Sequence, residues 1–190
     1  EKQKALAAGK DPYQILNEMA AEIPPGSDGV LIIPSLMGSG SPHWYPKARG
    51  VIIGLTLGTD KKTLVRAMLE GICLEIRWML EEARKLGSPI EEVRIWGGAA
   101  RSPLWNQIAA DVYGIPASLM GIGEAGLVGA AILAGRGIAM FSSVKEGANH
   151  LVEIAGHYEP DPELRTLYDD KFSTFQNTYN ALRDKGIFEE

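Results

Sequence analysis

A single cysteine, Cys73, leaves no partner for an internal disulfide. A chain so poor in thiols suits a reducing compartment such as the cytoplasm. Histidine is nearly as scarce: His43, His150 and His157 are the full set. No His, Cys, Asp or Glu group has metal-ligand spacing, so no metal-binding residue is expected. No apolar run approaches the roughly 20 residues of a membrane span, and no secretory segment precedes the first helical pattern. Basic charge is not in excess either. A net charge of −5 gives no electrostatic reason to expect a nucleic-acid partner. An anionic ligand must then be held by local amides, a few basic side chains or a metal ion. The P-loop pattern G-x-x-x-x-G-K-[ST] is absent from the chain, and G-x-G-x-x-G is absent after the 93–96 strand because Gly97 and Gly98 are adjacent, which weakens a Rossmann-type dehydrogenase reading. Nothing in the chain identifies a nucleophile or a general base, so no catalytic residue is assigned.

What is present describes a globular protein, with 45% hydrophobic and 23% charged residues. One domain over residues 1–190 is the expectation. The chain opens at Glu1 in a helix-like stretch, Lys2-Gln3-Lys4-Ala5-Leu6-Ala7-Ala8, as a piece of a longer polypeptide would. Asp11-Pro12 reads as a cap and first turn, predicting a helix near 12–22. The run Val30-Leu31-Ile32-Ile33 suits a strand buried on both faces, with a second strand near 50–55. A helix near 60–86 carries Leu64, Met68, Ile72, Ile76, Met79, Leu80 and Ala83 as its apolar stripe. Glu70 and Glu75 read as capped or paired helix carboxylates, and Cys73 as a small core residue. Strands near 93–96 and 117–120 alternate with helices near 103–113 and 125–136. In the last of these, Ala125/Gly129 and Gly126/Ala130/Ala134 form ladders that suit close backbone packing. A terminal helix near 163–183 carries Leu164, Tyr168, Phe172, Phe175, Tyr179 and Leu182. The alternation indicates an α/β domain with a largely buried sheet.

Ligands in such sheets sit beyond the carboxyl ends of the strands. There the sequence places Gly97-Gly98, directly after Val93-Arg94-Ile95-Trp96 and before Ser102-Pro103. Paired glycines let another molecule approach the backbone, and a Ser-Pro helix start turns N–H groups toward a polar or anionic ligand. An ordinary tight connection uses the same residues, so this segment alone leaves both readings open.

Three motifs in order resemble the C-terminal half of the FGGY family of carbohydrate kinases. They are the loop from Pro34 to Gly50 with Gly54-Leu55-Thr56, the helix run Leu64-Val65-Arg66-Ala67-Met68-Leu69-Glu70-Gly71-Ile72, and Gly97-Gly98-Ala99-Ala100-Arg101-Ser102-Pro103-Leu104-Trp105. Glu124 to Ala131 is similar to the small-residue helix that follows, and His157 to Asp161 to the lead into the terminal helix. Thr63 departs from the pattern, standing where the family usually has His, Asp, Glu, Asn or Gln.

The resemblance implies an actin-like, ribonuclease-H-like fold with a mixed sheet flanked by helices, incomplete at its N-terminal end. It implies ATP with Mg2+ as phosphate donor, and a sugar or polyol as acceptor. Carried over by position, Gly98 and Ala99 line the adenosine, Gly97 permits the turn, and Ser102 contacts adenine or ribose or serves only as a cap. The sugar pocket and catalytic aspartate belong to sequence upstream of Glu1, so the isolated chain is expected to be inactive. A non-catalytic interaction domain that keeps the fold is the alternative, and apolar surface left by a missing half could drive homodimerisation.

Overall fold

A computed structural model of the chain describes residues 9–121 and 123–189. The helix-like stretch expected at residues 2–8 lies outside the described residues. In chain order the elements are α1 (Pro12–Ala21), β1 (Leu31–Ile33), β2 (Val51–Ile53), α2 (Lys61–Lys85), β3 (Val93–Ile95) and α3 (Pro103–Tyr113). They continue with β4 (Ala117–Met120), α4 (Ala125–Gly137), α5 (Val144–Leu151), β5 (Ile154–Tyr158) and α6 (Arg165–Asp184). Neither α5 nor β5 was foreseen from the sequence. α5 is eight residues long with Gly147 inside it, and β5 is interrupted by Gly156, so neither shows a sustained period.

Helix starts are set by side-chain caps. Asp11 accepts from the Tyr13 amide at 2.7 Å while Gln14 reaches back to the Asp11 amide at 3.2 Å, a reciprocal box with Pro12 at the first helical position. At α2, Asp60 accepts from both the amide (2.9 Å) and the hydroxyl (3.0 Å) of Thr63. That double bond gives Thr63 a place in the helix start, despite its departure from the family pattern.

The strands form two small sheets. β1 pairs antiparallel with β2, and a second sheet has the order β3-β4-β5. Within it β3 and β4 are parallel, with Val93 opposite Ala117 and Ile95 opposite Leu119, and α3 makes the connection between them. β5 runs antiparallel to β4 and sets His157 beside Ser118, whose hydroxyl meets the ring Nδ1 at 2.9 Å. Ser118 also hydrogen-bonds Glu92, so the residue before β3 is tied to the same point.

The main core lies among β1, α2, α3 and α6. Leu31, Ile33, Leu74, Trp78, Ile108, Val112, Tyr168, Phe175 and Tyr179 are all buried in it. The aromatic stripe expected on α6 is the buried one, through Tyr168, Phe172, Phe175 and Tyr179. On α2 the expected stripe is corrected. Leu64, Met68, Ile72, Ile76, Met79, Leu80 and Ala83 are only half-buried, and the innermost face carries Thr63, Arg66, Ala67, Glu70, Gly71, Cys73, Leu74, Arg77 and Trp78. Arg66 and Glu70 can occupy that face because their partners are enclosed with them, whereas Arg77 reaches outward to the more exposed Asp169. Gly71 is required there by proximity alone, since a Cβ would drive into the Ile32 carbonyl oxygen of β1.

Candidate functional site: the turn after β3

The carboxyl ends of parallel β3 and β4 open on the same side, and a cleft of about 290 Å³ lies there. Trp96, Gly97, Ala100 and Arg101 form its wall from the β3 turn. Leu119, Met120, Gly121 and Gly123 form the wall from β4, and Ala155 closes it from β5. Gly97 has φ +87°, a conformation that disfavours any side chain. A Cβ added at Gly97 or Gly98 meets nothing within 4 Å, so the main chain of both faces open space. Trp96 leaves 54% of its surface exposed beside them, and the Arg101 side chain is exposed at the far end of the turn. An aromatic face, bare backbone and a cation within one concavity are the elements that receive a heterocycle with an attached anion.

The four residues singled out in the sequence are placed differently. Gly97 lines the cleft, whereas Gly98 and Ala99 are exposed on the turn beside it. Ser102 is only 9% exposed, and its hydroxyl accepts from the Trp105 amide at 3.1 Å as the cap of α3. Its own proton makes no hydrogen bond among the described residues, so the cap leaves a donor unspent. Trp96, Arg101, Met120 and Ala155 were not singled out. Trp96 was legible as the residue touching the glycine pair, but Met120 and Ala155 join the site only through strand pairing that no local pattern announces.

A larger concavity of about 370 Å³ lies between β1 and α6, but its cation is already engaged. Lys171 donates to Glu70 at 2.9 Å and to the carbonyls of Gly26 and Val30 at 2.6 and 2.9 Å, using all three ammonium protons. Glu70, fully buried, also accepts from the Gly26 amide (3.0 Å), the Ser27 hydroxyl (2.9 Å), Arg66 (2.8 Å) and Tyr168 (3.1 Å). Burial pushes its carboxyl pKa up, but Lys171 and Arg66 outweigh burial and hold it below the ordinary value. Glu70 is therefore the paired helix carboxylate read from the sequence, through Arg66 four residues before it, and beyond that a structural hub joining α2, α6 and the turn before β1. His43 packs its ring edge-on to Trp78 at 4.7 Å, away from the cleft-lining residues.

Residues 1–138 match the model of the FGGY family of carbohydrate kinases, C-terminal domain. The chain is 36% identical over 98% of its length to the autoinducer-2 kinase of Escherichia coli K12, covering 36% of that protein. It is 40% identical to the glycerol kinase of Aromatoleum aromaticum over 70% of this chain and 27% of that one. Ligand-bound xylulose kinase from Lactobacillus acidophilus superposes with a TM-score of 0.84 at 26% identity, over 93% of this chain and 36% of that one. The chain thus spans about a third of the length of the relatives it matches. An α/β fold shared with these kinases, and a family match covering most of its residues, place the chain in the FGGY family of carbohydrate kinases.

Proposed function

We propose that the cleft after β3 receives the adenosine end of ATP or ADP, as the donor side of a kinase that moves the γ-phosphate to a sugar or polyol hydroxyl. The open main chain of Gly97 and Gly98 beside the Trp96 face carries this reading. At about 290 Å³ the cleft sits at the lower edge of the roughly 300–1,000 Å³ usual for small-molecule sites, enough for part of a nucleotide. The Trp96 ring offers the base a stacking surface, the turn amides and the Ser102 hydroxyl offer donors, and Arg101 offers charge toward the phosphates.

Mg2+ has no cradle among these residues. No three His, Cys, Asp or Glu side chains among the described residues converge to hold a metal. The ion that assists phosphoryl transfer would arrive on the nucleotide phosphates. Among the described residues no carboxylate or imidazole lines the cleft, so none of them is positioned there to deprotonate an attacking hydroxyl. The chain alone is expected to bind nucleotide weakly and to turn over no sugar. A cytoplasmic setting suits its single, buried cysteine, and no described helix is long and apolar enough to cross a membrane. Self-association of the isolated chain through exposed apolar side chains such as Leu127 and Leu133 fits the same picture, and sedimentation velocity would show it.

Equilibrium dialysis with ADP, NAD and inorganic phosphate tests the site. Saturable ADP binding without NAD binding is the expected result. ADP indifference would instead support a non-catalytic interaction domain that retains the fold. Phosphorylation of any pentose, ketose or polyol by the isolated chain in a coupled assay would overturn the inactivity.

A further inference from the structure

Asn106 on α3 is completely buried and keeps one hydrogen bond, from its side-chain amide to the Ala100 carbonyl at 2.9 Å. The partner is a carbonyl oxygen, which fixes the nitrogen as the bonded atom. The other atom, Oδ1, has no partner among the described residues. Leaving a buried amide oxygen unpaired is a poor way to stabilise a core, so a second reason is needed for an amide at this position. The turn supplies one. The Gly98 carbonyl accepts from the Arg101 amide at 3.3 Å and the Ala99 carbonyl from the Ser102 amide at 3.0 Å. The Ala100 carbonyl is the next in line, and Asn106 is the group that takes it. Ala100 is itself buried and lines the cleft, so this bond locks a wall of the site to the rigid body of α3.

We propose that Asn106 is a positioning residue: it pins the turn of residues 97–102 in its observed shape and, resting on the nucleotide reading above, thereby sets ADP affinity. An apolar residue of similar size would fill the space but leave the Ala100 carbonyl buried and unpaired. An aspartate would face that carbonyl with an acceptor. Both changes release the turn, and neither touches the ligand.

The test uses the whole chain carrying Asn106→Ala, Asn106→Asp or Asn106→Leu, each studied at a temperature where denaturant titration shows it folded. Amide hydrogen exchange at Arg101 and Ser102 is expected to speed up at least about tenfold, while amides of α2 and α6 keep their wild-type rates. ADP affinity of the folded variants is expected to fall by about tenfold. Overall stability loss alone would not change the affinity of molecules that remain folded. Wild-type-like exchange at residues 101–102 in the folded variants overturns the pinning, whatever happens with ADP. Faster local exchange with unchanged ADP affinity overturns the link to binding and leaves the nucleotide reading intact. Should the wild-type chain bind no ADP, the nucleotide reading and the affinity link are overturned together, while local exchange still decides the pinning.

Discussion

The region around α2, α3 and α6 and the region around α4 and α5 treat their residues in opposite ways. In the first, a carboxylate, a guanidinium and an ammonium are enclosed: Glu70 is fully buried, with Arg66 and Lys171 nearly so. In the second, leucines stand in solvent, with Leu127 71% and Leu133 63% exposed on α4. Residue type alone would have reversed that outcome. Partners decide it. Glu70 receives donors from two helices and a turn, whereas α4 buries only Ile132 and Gly135, against α5 and Phe141. The small-residue ladder expected to bring another backbone against α4 finds none among the described residues, because Gly126 and Gly129 have no neighbour within 4 Å of a Cβ. A helix apolar on most of its surface is normally covered, so α4 departs from the usual pattern among the described elements.

Breaking the charged hub should have the largest effect. Glu70→Ala leaves Arg66 and Lys171 buried without a carboxylate, and is expected to lower unfolding free energy by about 3–5 kcal/mol in urea titration. A loss below about 1 kcal/mol would mean that water reaches the hub.

The same group predicts an acid response. Its folded-state pKa lies below the ordinary 4.5, so its contribution is complete above that pH and is lost as pH falls through the folded value. The wild-type chain should lose stability across that window and Glu70→Gln should flatten the loss, read as denaturation midpoints between neutral and acidic buffers. Asp169, held low against burial by Arg77 and Arg165, keeps some slope in the variant.

Ser102→Ala removes the cap of α3 and should cost about 1 kcal/mol, seen as a lower melting temperature. The smallest effect belongs to the exposed flank. Leu127→Glu should change stability by no more than about 0.5 kcal/mol, because 71% of that residue is exposed. A large loss there would erase the contrast between the two regions.

Much of this was legible in the sequence wherever the signal is local. Caps and breakers marked the starts of α1 at Asp11-Pro12 and of α3 at Ser102-Pro103, and the aromatic period of α6 pointed to its buried face. The inner face of α2 was not legible. A hydrophobic-period argument discounts Arg66, Glu70 and Arg77, and only the fold brings Lys171, Tyr168 and Asp169 to meet them. The site divides the same way. Gly97 follows from the strand-glycine pattern, but Met120 and Ala155 depend on strand partners, and Asn106 is marked only by the bond it makes and the one it lacks.

The central claim, that the turn after β3 holds the adenosine end of a nucleotide, is tested most directly by titrating ADP into the isotopically labelled chain and following every backbone amide. Shifts concentrated at residues 96–101 and 119–121, with the amides of Gly26, Leu31 and Lys171 unmoved, are the predicted result. Shifts centred on the concavity beside Lys171, or none at the glycine turn at saturating ADP, would contradict it.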